Sequence, residues 1–224
     1  MWRWLVLVGF FVVPRFARAE AGWEEVRSEV GIVSWKLEGE QRTVYRARAT
    51  LEASVWEALA VLDDVDRACE WTSHCAEMRR LKTLSAREVL VYARMDAPWP
   101  VRDRDVAVNV LVEYGGIGEL TVRIRATPEL PPTRGAVRMP VFVAHYRFSA
   151  RGERRTDVEY QLEFDPGGAL PDWLKTLVVK NLAHDTLDDL RDRVRWARQR
   201  KLYEERAAML AEHALQSGYV ASTR

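Results

Sequence analysis

The chain has 224 residues, 48% of them hydrophobic and 30% charged, with 34 basic against 33 acidic side chains and a formal net charge of +1. That balance argues against a nucleic-acid binder, which needs a basic stripe to neutralise phosphates. No repeat, low-complexity tract or Gly/Ser/Pro-rich linker divides the sequence, so one domain with a sizeable core is expected.

The first segment reads as an export signal. Met1 to Arg3 give a short basic start, Leu5 to Val13 an apolar run, and Ala17-Arg18-Ala19 a small-x-small cleavage site, which predicts a signal peptide over residues 1–19. The apolar run falls short of the roughly 20 residues that span a bilayer. A retained membrane anchor is the alternative. Without this segment the chain carries 31 basic and 33 acidic residues. Export would place the protein in the periplasm of a Gram-negative cell. It would also put the two cysteines, Cys69 and Cys75, in an oxidising compartment where thiols this close can pair. A disulfide is expected, with two free buried thiols as the alternative. His74 beside them has too few partners for a metal site, and none is expected.

Next, Trp23 to Val30 suggests a short helix, and Ile32 to Leu37 and Thr43 to Leu51 alternate like a hairpin around Glu38-Gly39-Glu40. Ser54 is placed to cap a helix running to about Cys69, since Val55, Leu59, Leu62 and Val65 recur at helical spacing. Six alternating runs follow: Met78 to Leu84, Val89 to Met95, Val106 to Val112, Leu120 to Ala126, Val137 to Phe148 and Asp157 to Phe164. From Pro171 to about Arg200 the period is helical, with proline suited to the first turn. Residues 201–224 read as a charged helical extension and tail, with Leu202, Ala207, Leu210 and Ala214 at intervals, and carry no assigned role.

The segment from Ala97 to Asp105, APWPVRDRD, stands apart from these elements. Pro98 and Pro100 fix their own φ and push the preceding residues to extended geometry, which makes a stiff corner between two strands. Trp99, Arg104 and Asp105 are the expected structural residues of that corner. A plain strand entry with solvated ion pairs is the alternative.

The element order, the PWPVRDRD corner with its Arg104-Asp105 pair, and the closing segment DPGGALPDWLKTLVVKNLAHDTLDDLRDRV resemble the START domain, the StAR-related lipid-transfer module of the helix-grip (Bet v 1-like) superfamily. The resemblance covers roughly Trp23 to Arg198, within a domain expected over residues 20–200. It implies an α+β helix-grip fold, a curved antiparallel sheet wrapped around a long C-terminal helix, with a hydrophobic cavity between them for one lipid or sterol. Some sterol- and phospholipid-binding members carry an arginine about six residues past the Arg-Asp pair; here that position is Val110, so headgroup recognition is in doubt.

Strand alternation assigns faces. Val122 and Ile124 should face inward with Arg123 and Arg125 outward. Phe142, Ala144, Tyr146 and Phe148 should face inward, with His145 and Arg147 outward. Tyr160, Leu162 and Phe164 should face inward, opposite Glu159, Gln161 and Glu163. Val91, Ala93 and Met95 on one strand and Val108 and Val110 on the next complete the expected floor of the cavity. Trp71 and the helix residues Val178, Leu182 and Thr186 are the expected roof. Any of these positions could equally be filled core.

On the closing helix, Val179, Ala183, Thr186, Leu187, Leu190 and Val194 form one stripe. Leu170, Trp173, Leu174, Leu177 and Val178 make its first half apolar nearly all round. Loops or a membrane surface should cover that end. An interior free of fixed charge suits sterols, hopanoids, isoprenoids or fatty chains. The expected function is thus lipid binding and transfer by a monomer without a cofactor and without catalysis. Two alternatives remain. One is a polyketide cyclase or aromatase using Tyr92, Tyr146, Tyr160, His74 or His145 for proton transfer, although no catalytic motif has recognisable spacing. The other is a periplasmic adaptor with a filled interior.

Overall fold

The computed structural model describes residues 22–40, 42–128, 130, 133–170 and 181–218. Ten strands form one sheet: β1 (Glu24–Glu29), β2 (Ile32–Glu38), β3 (Thr43–Leu51), β4 (Cys75–Ser85), β5 (Glu88–Met95), β6 (Arg104–Tyr114), β7 (Glu119–Ala126), β8 (Val137–Arg138), β9 (Val141–Ala150) and β10 (Thr156–Asp165). Their order is β1-β2-β3-β10-β9-β7-β6-β5-β4, with β8 added to β6. Neighbours along this path run antiparallel; β8 joins β6 in parallel. Helix α1 (Val55–Asp63) and a 3₁₀ segment (Val65–Glu70) sit between β3 and β4. Helices α2 (Leu182–Gln199) and α3 (Glu204–Gln216) close the chain. This is the expected α+β helix-grip architecture.

Alternation along the strands decides which face is buried. On β10, Thr156, Val158, Tyr160 and Leu162 are buried while the residues between them are half exposed; on β9, Phe142, Ala144, Tyr146 and Phe148 are the buried set. The outer face carries the charges as an ion-pair ladder. Arg48 lies directly opposite Glu159 and donates to it at 2.6 Å, and Arg42 donates to Glu163 at 2.7 Å. Helix α2 lies across the inner face of β2, β3 and β10 and packs against α1. Its buried residues Ala183, Leu187, Leu190, Val194 and Ala197 recur three and four apart, so one stripe meets the sheet. Helix α3 packs on α1.

Several local expectations are corrected. Trp23 to Val30 is not a helix; Glu24–Glu29 is the edge strand β1, turned into β2 at Val30 and Gly31, whose φ values are +51° and +77°. Positive φ at both central residues is the signature of the tight hairpin turn that matches strand twist. The helix from Ser54 stops at Asp63, six residues short of Cys69, and continues as 3₁₀. Its start is as expected: the Glu57 amide donates to Ser54 Oγ at 3.2 Å and the Ser54 amide to Glu57 Oε2 at 2.7 Å, a reciprocal cap. Its end carries Asp63 and Asp64, unfavourable beside the negative pole of a helix. The run from Val137 to Phe148 is two strands. Pro140, with no amide hydrogen, separates a short parallel pairing with β6 from β9. Cys69 and Cys75 are joined as a disulfide. The segment 1–19, expected to be a signal peptide, and residues 171–180, expected to begin the closing helix and including Trp173, Leu174, Leu177, Val178 and Val179, lie outside the described residues.

Candidate functional site

A cavity of about 480 Å³ separates the curved sheet from the helices. Its floor is built from valines. Val106, Val108, Val110 and Val112 share one face of β6, and across the β5 register Val110 meets Val89, Val108 meets Val91 and Val106 meets Ala93. From Arg104 to Val112 the lined length of β6 is about 26 Å at ~3.3 Å per residue. The β-branched side chains stand upright on the pleat and are too short to reach the helix layer, which leaves space between the layers.

The structure brings the residues selected on the sequence to this wall. Val91, Ala93 and Met95 come from β5, Val108 and Val110 from β6, Val122 and Ile124 from β7, Phe142 and Tyr146 from β9, and Tyr160, Leu162 and Phe164 from β10. Trp71, Leu182 and Thr186 face them from the helical side. Val178 is outside the described residues. Ala144 and Phe148 point inward as expected but are packed core, not cavity wall.

The expected absence of fixed charge from the interior is corrected. Asp63, Arg80, Arg104, Asp185 and Asp189 all border the cavity. Arg80 is occupied: its guanidinium donates to the Asp63 carbonyl at 2.8 Å and carboxylate at 3.2 Å. Asp189 Oδ2 accepts the Ser73 amide at 2.7 Å. Burial raises the Asp189 pKa, and Asp185 and Asp188 add to the shift, against the lowering effect of the Ser73 amide. Asp185 and Asp189 were legible in principle, since they fall three and seven residues after Leu182, on the same helical stripe. Leu210 of α3 also borders the cavity, so the C-terminal extension is part of its wall.

Two tyrosines define the most enclosed polar part. Tyr146 and Tyr160 are cross-strand partners with ring centroids 4.5 Å apart and are 6% and 4% exposed. Burial pushes both hydroxyls well above their ordinary pKa; Tyr160 and Asp189 raise Tyr146 further, while Thr186 lowers Tyr160. The Trp71 indole N–H is buried with no acceptor among the described residues. No group of three or more metal-ligating side chains occurs among those residues.

At the cavity rim the proline corner departs from expectation in one respect. Trp99 is 91% exposed and holds nothing in place, whereas its neighbours Ala97 and Pro98 line the cavity. The corner is held instead by Asp103, which accepts from Arg94 Nε at 2.7 Å and from the Ala97 amide at 3.2 Å. Arg104 and Asp105 are structural but do not pair with each other, because adjacent strand residues face opposite ways. Arg104 donates to the carbonyls of Arg102 at 2.5 Å and of Pro166 and Gly167 at 3.3 Å. Asp105 binds Arg138 on the other side.

A family model described as the START domain matches residues 13–210. The chain belongs to the START family. An uncharacterized protein of Pseudomonas aeruginosa is 33% identical over 172 residues, covering 75% of this chain and 85% of that one. A solved StAR-related lipid transfer protein of Xanthomonas axonopodis has 30% identity and a TM-score of 0.71, covering 78% of this chain and 99% of that one. Human STARD10 has the same fold at 21% identity, with a TM-score of 0.73 over 91% of this chain and 85% of its own. START membership accounts for the sheet, the closing helix and the space between them.

Proposed function

We propose that this START domain binds one hydrophobic lipid in the cavity between sheet and α2 and carries it between membranes. The observation that carries the reading is the continuous apolar floor of about 480 Å³ capacity, within the range of small-molecule sites. Each ~100 Å² of ligand surface withdrawn from water contributes about 2.5 kcal/mol. Similarity to a lipid transfer protein of Xanthomonas supports the same reading. The hydroxyls of Tyr146 and Tyr160, pushed far from neutral titration, are poor proton-transfer groups, which favours a carrier over a cyclase.

The route in and out is proposed at the rim near Ala97 and Pro98, where exposed Trp99 would rest in a membrane interface. Action after export, in the periplasm of a Gram-negative cell, is supported by the leader-like residues 1–19 and by the Cys69–Cys75 disulfide. The deciding experiment is purification without detergent followed by mass spectrometry of extracted lipids. A hydrophobic species at one per chain is expected. A folded, empty protein whose stability no hydrophobic ligand raises would overturn the reading.

A further inference from the structure

The cavity meets solvent at a second place besides the rim at Ala97 and Pro98. Exposed Ser85, Ala86 and Arg87 of the β4–β5 turn border it. They lie at the opposite end of β5 from that rim, about 26 Å away at ~3.3 Å per residue. Packing explains the gap. Strand β4, an edge of the sheet, packs on the 3₁₀ segment, whereas α1 packs on α2, α3 and β9. Side chains bridge the slot between α1 and β4: Arg80 of β4 donates to the carbonyl and carboxylate of Asp63 at the end of α1. The outer cover of the slot is α3. Its Leu210 borders the cavity, and Arg206, one turn earlier, lies 3.6 Å from Asp63 and 3.5 Å from Asp64. Both distances exceed ordinary hydrogen-bond lengths, so charge alone makes this link. Tyr203 adds a bond to Asp64 at 2.8 Å. Asp63 thus holds both lips, Arg80 from the strand and Arg206 from the helix. The latch accounts for two aspartates placed where they oppose the dipole of α1.

Little else holds α3 down. Lys201, at φ +53°, ends α2 with the Lys201 amide on the Arg198 carbonyl and the Leu202 amide on the Ala197 carbonyl, both at 3.1 Å, so α3 is a separate body and not a continuation of α2. The buried residues of α3 are Ala207 and Ala214, whose small side chains withdraw little apolar surface from water. A helix held by alanines and part-exposed charges belongs to the least stable part of a fold. We propose that α3 is a lid over a second mouth of the cavity, latched by Arg206 to Asp63 and Asp64, and that apolar cargo enters and leaves there when the latch opens. The inference rests on the hydrophobic-ligand reading above and gives that ligand a route separate from the proline corner.

The test uses the full chain and two readouts. Hydrogen exchange followed by mass spectrometry reads the lid, and stopped-flow uptake and release of the apolar dye diphenylhexatriene reads the mouth. Arg206→Gln removes the charge of the latch. It should speed exchange in α3 and leave α2 as in wild type. It should also raise dye uptake and release by the same factor, about threefold, the worth of one part-exposed ion pair, with Kd unchanged. Arg206→Lys keeps the charge and should restore wild-type rates. On the wild type, raising salt from about 0.05 to about 0.5 M should accelerate both rates, since it screens the same pair. Faster exchange in α3 with unchanged dye rates would show that α3 opens without being a door, and would overturn the inference while leaving a hydrophobic carrier standing. Unchanged exchange in Arg206→Gln would do the same. Failure of the wild type to take up the dye at all would overturn both.

Discussion

Asp105 and Arg138 face each other across the β6–β8 pairing and form a bidentate ion pair, Nε to Oδ1 at 2.9 Å and Nη2 to Oδ2 at 3.0 Å, with the carboxylate wholly removed from solvent. The Thr133 amide adds a third bond to Oδ2 at 3.1 Å, and Arg138 also donates to the Leu130 carbonyl at 2.8 Å. Burial alone would raise the Asp105 pKa; Arg138 and Thr133 outweigh it and hold the group below its ordinary value. The pair thus ties the loop after β7 to the strand that forms the cavity floor.

A depressed folded-state pKa contributes stability that is present above the unfolded value near 3.9 and lost as pH falls through the folded value. Denaturant melts of the wild type should therefore weaken below about pH 4. Asp105→Ala should cost about 3–5 kcal/mol at neutral pH, because it strands the arginine. An effect under ~1 kcal/mol would show that Arg138 finds water instead.

Asp189 has the opposite sign. Its pKa is raised, so ionisation costs native stability, and that cost grows as pH rises from the unfolded value through the folded one. Asp189→Asn should keep the Ser73 bond and be more stable than wild type at pH 7, with the difference vanishing in acid. Paired thermal melts across the acid range would check it; a constant difference at all pH values would contradict the assignment.

The turn Glu29-Val30-Gly31-Ile32 places a β-branched residue at φ +51° with 78% of its surface exposed. Left-handed geometry costs such a residue about 1–2 kcal/mol, and asparagine tolerates it. Val30→Asn should raise stability by roughly 1 kcal/mol, read as the denaturant midpoint at unchanged slope. No change in midpoint would mean the edge hairpin opens before the main transition.

What the sequence disclosed and what it concealed divide along physical lines. Strands β7, β9 and β10 were legible because one face is buried, and period-two alternation follows from that burial. The same rule put Tyr146, Tyr160 and the β6 valines on one wall. Strand β1 was not legible: Glu24–Glu29 is an edge strand with four charged residues in six, so no buried face stamps a period on it. The role of Trp99 was misread because two flanking prolines describe the backbone and say nothing of what the ring touches. Asp103, which does hold the corner, looked like one charge among four. The contribution of Leu210 to the cavity depends on how α3 folds back on α1, a long-range contact with no local signature.

Trp99 separates stability from function. A side chain 91% exposed makes almost no native contact, so Trp99→Ala should change unfolding free energy by less than about 0.5 kcal/mol. If the rim beside it meets membranes, the same variant should lose severalfold in vesicle binding and in lipid transfer between vesicles, since an interfacial indole is a strong anchor. Equal transfer by both proteins would move the contact surface elsewhere.

Val110 tests whether the space itself matters. It stands mid-floor on β6 with open cavity above it, so Val110→Phe projects its extra volume into empty space and not into packed core. Overpacking a filled interior typically costs about 1–3 kcal/mol, whereas filling a void costs little or stabilises. The variant should therefore melt within a few degrees of wild type. It should also co-purify with less lipid and bind hexadecanol at least about tenfold more weakly, because the ring occupies the volume the ligand needs. A large loss of stability would show that the side chain cannot enter the cavity. Retained stability with unchanged binding would show that the ligand does not lie over β6, and the occupied part of the cavity would then have to be sought nearer Arg104 and Phe164.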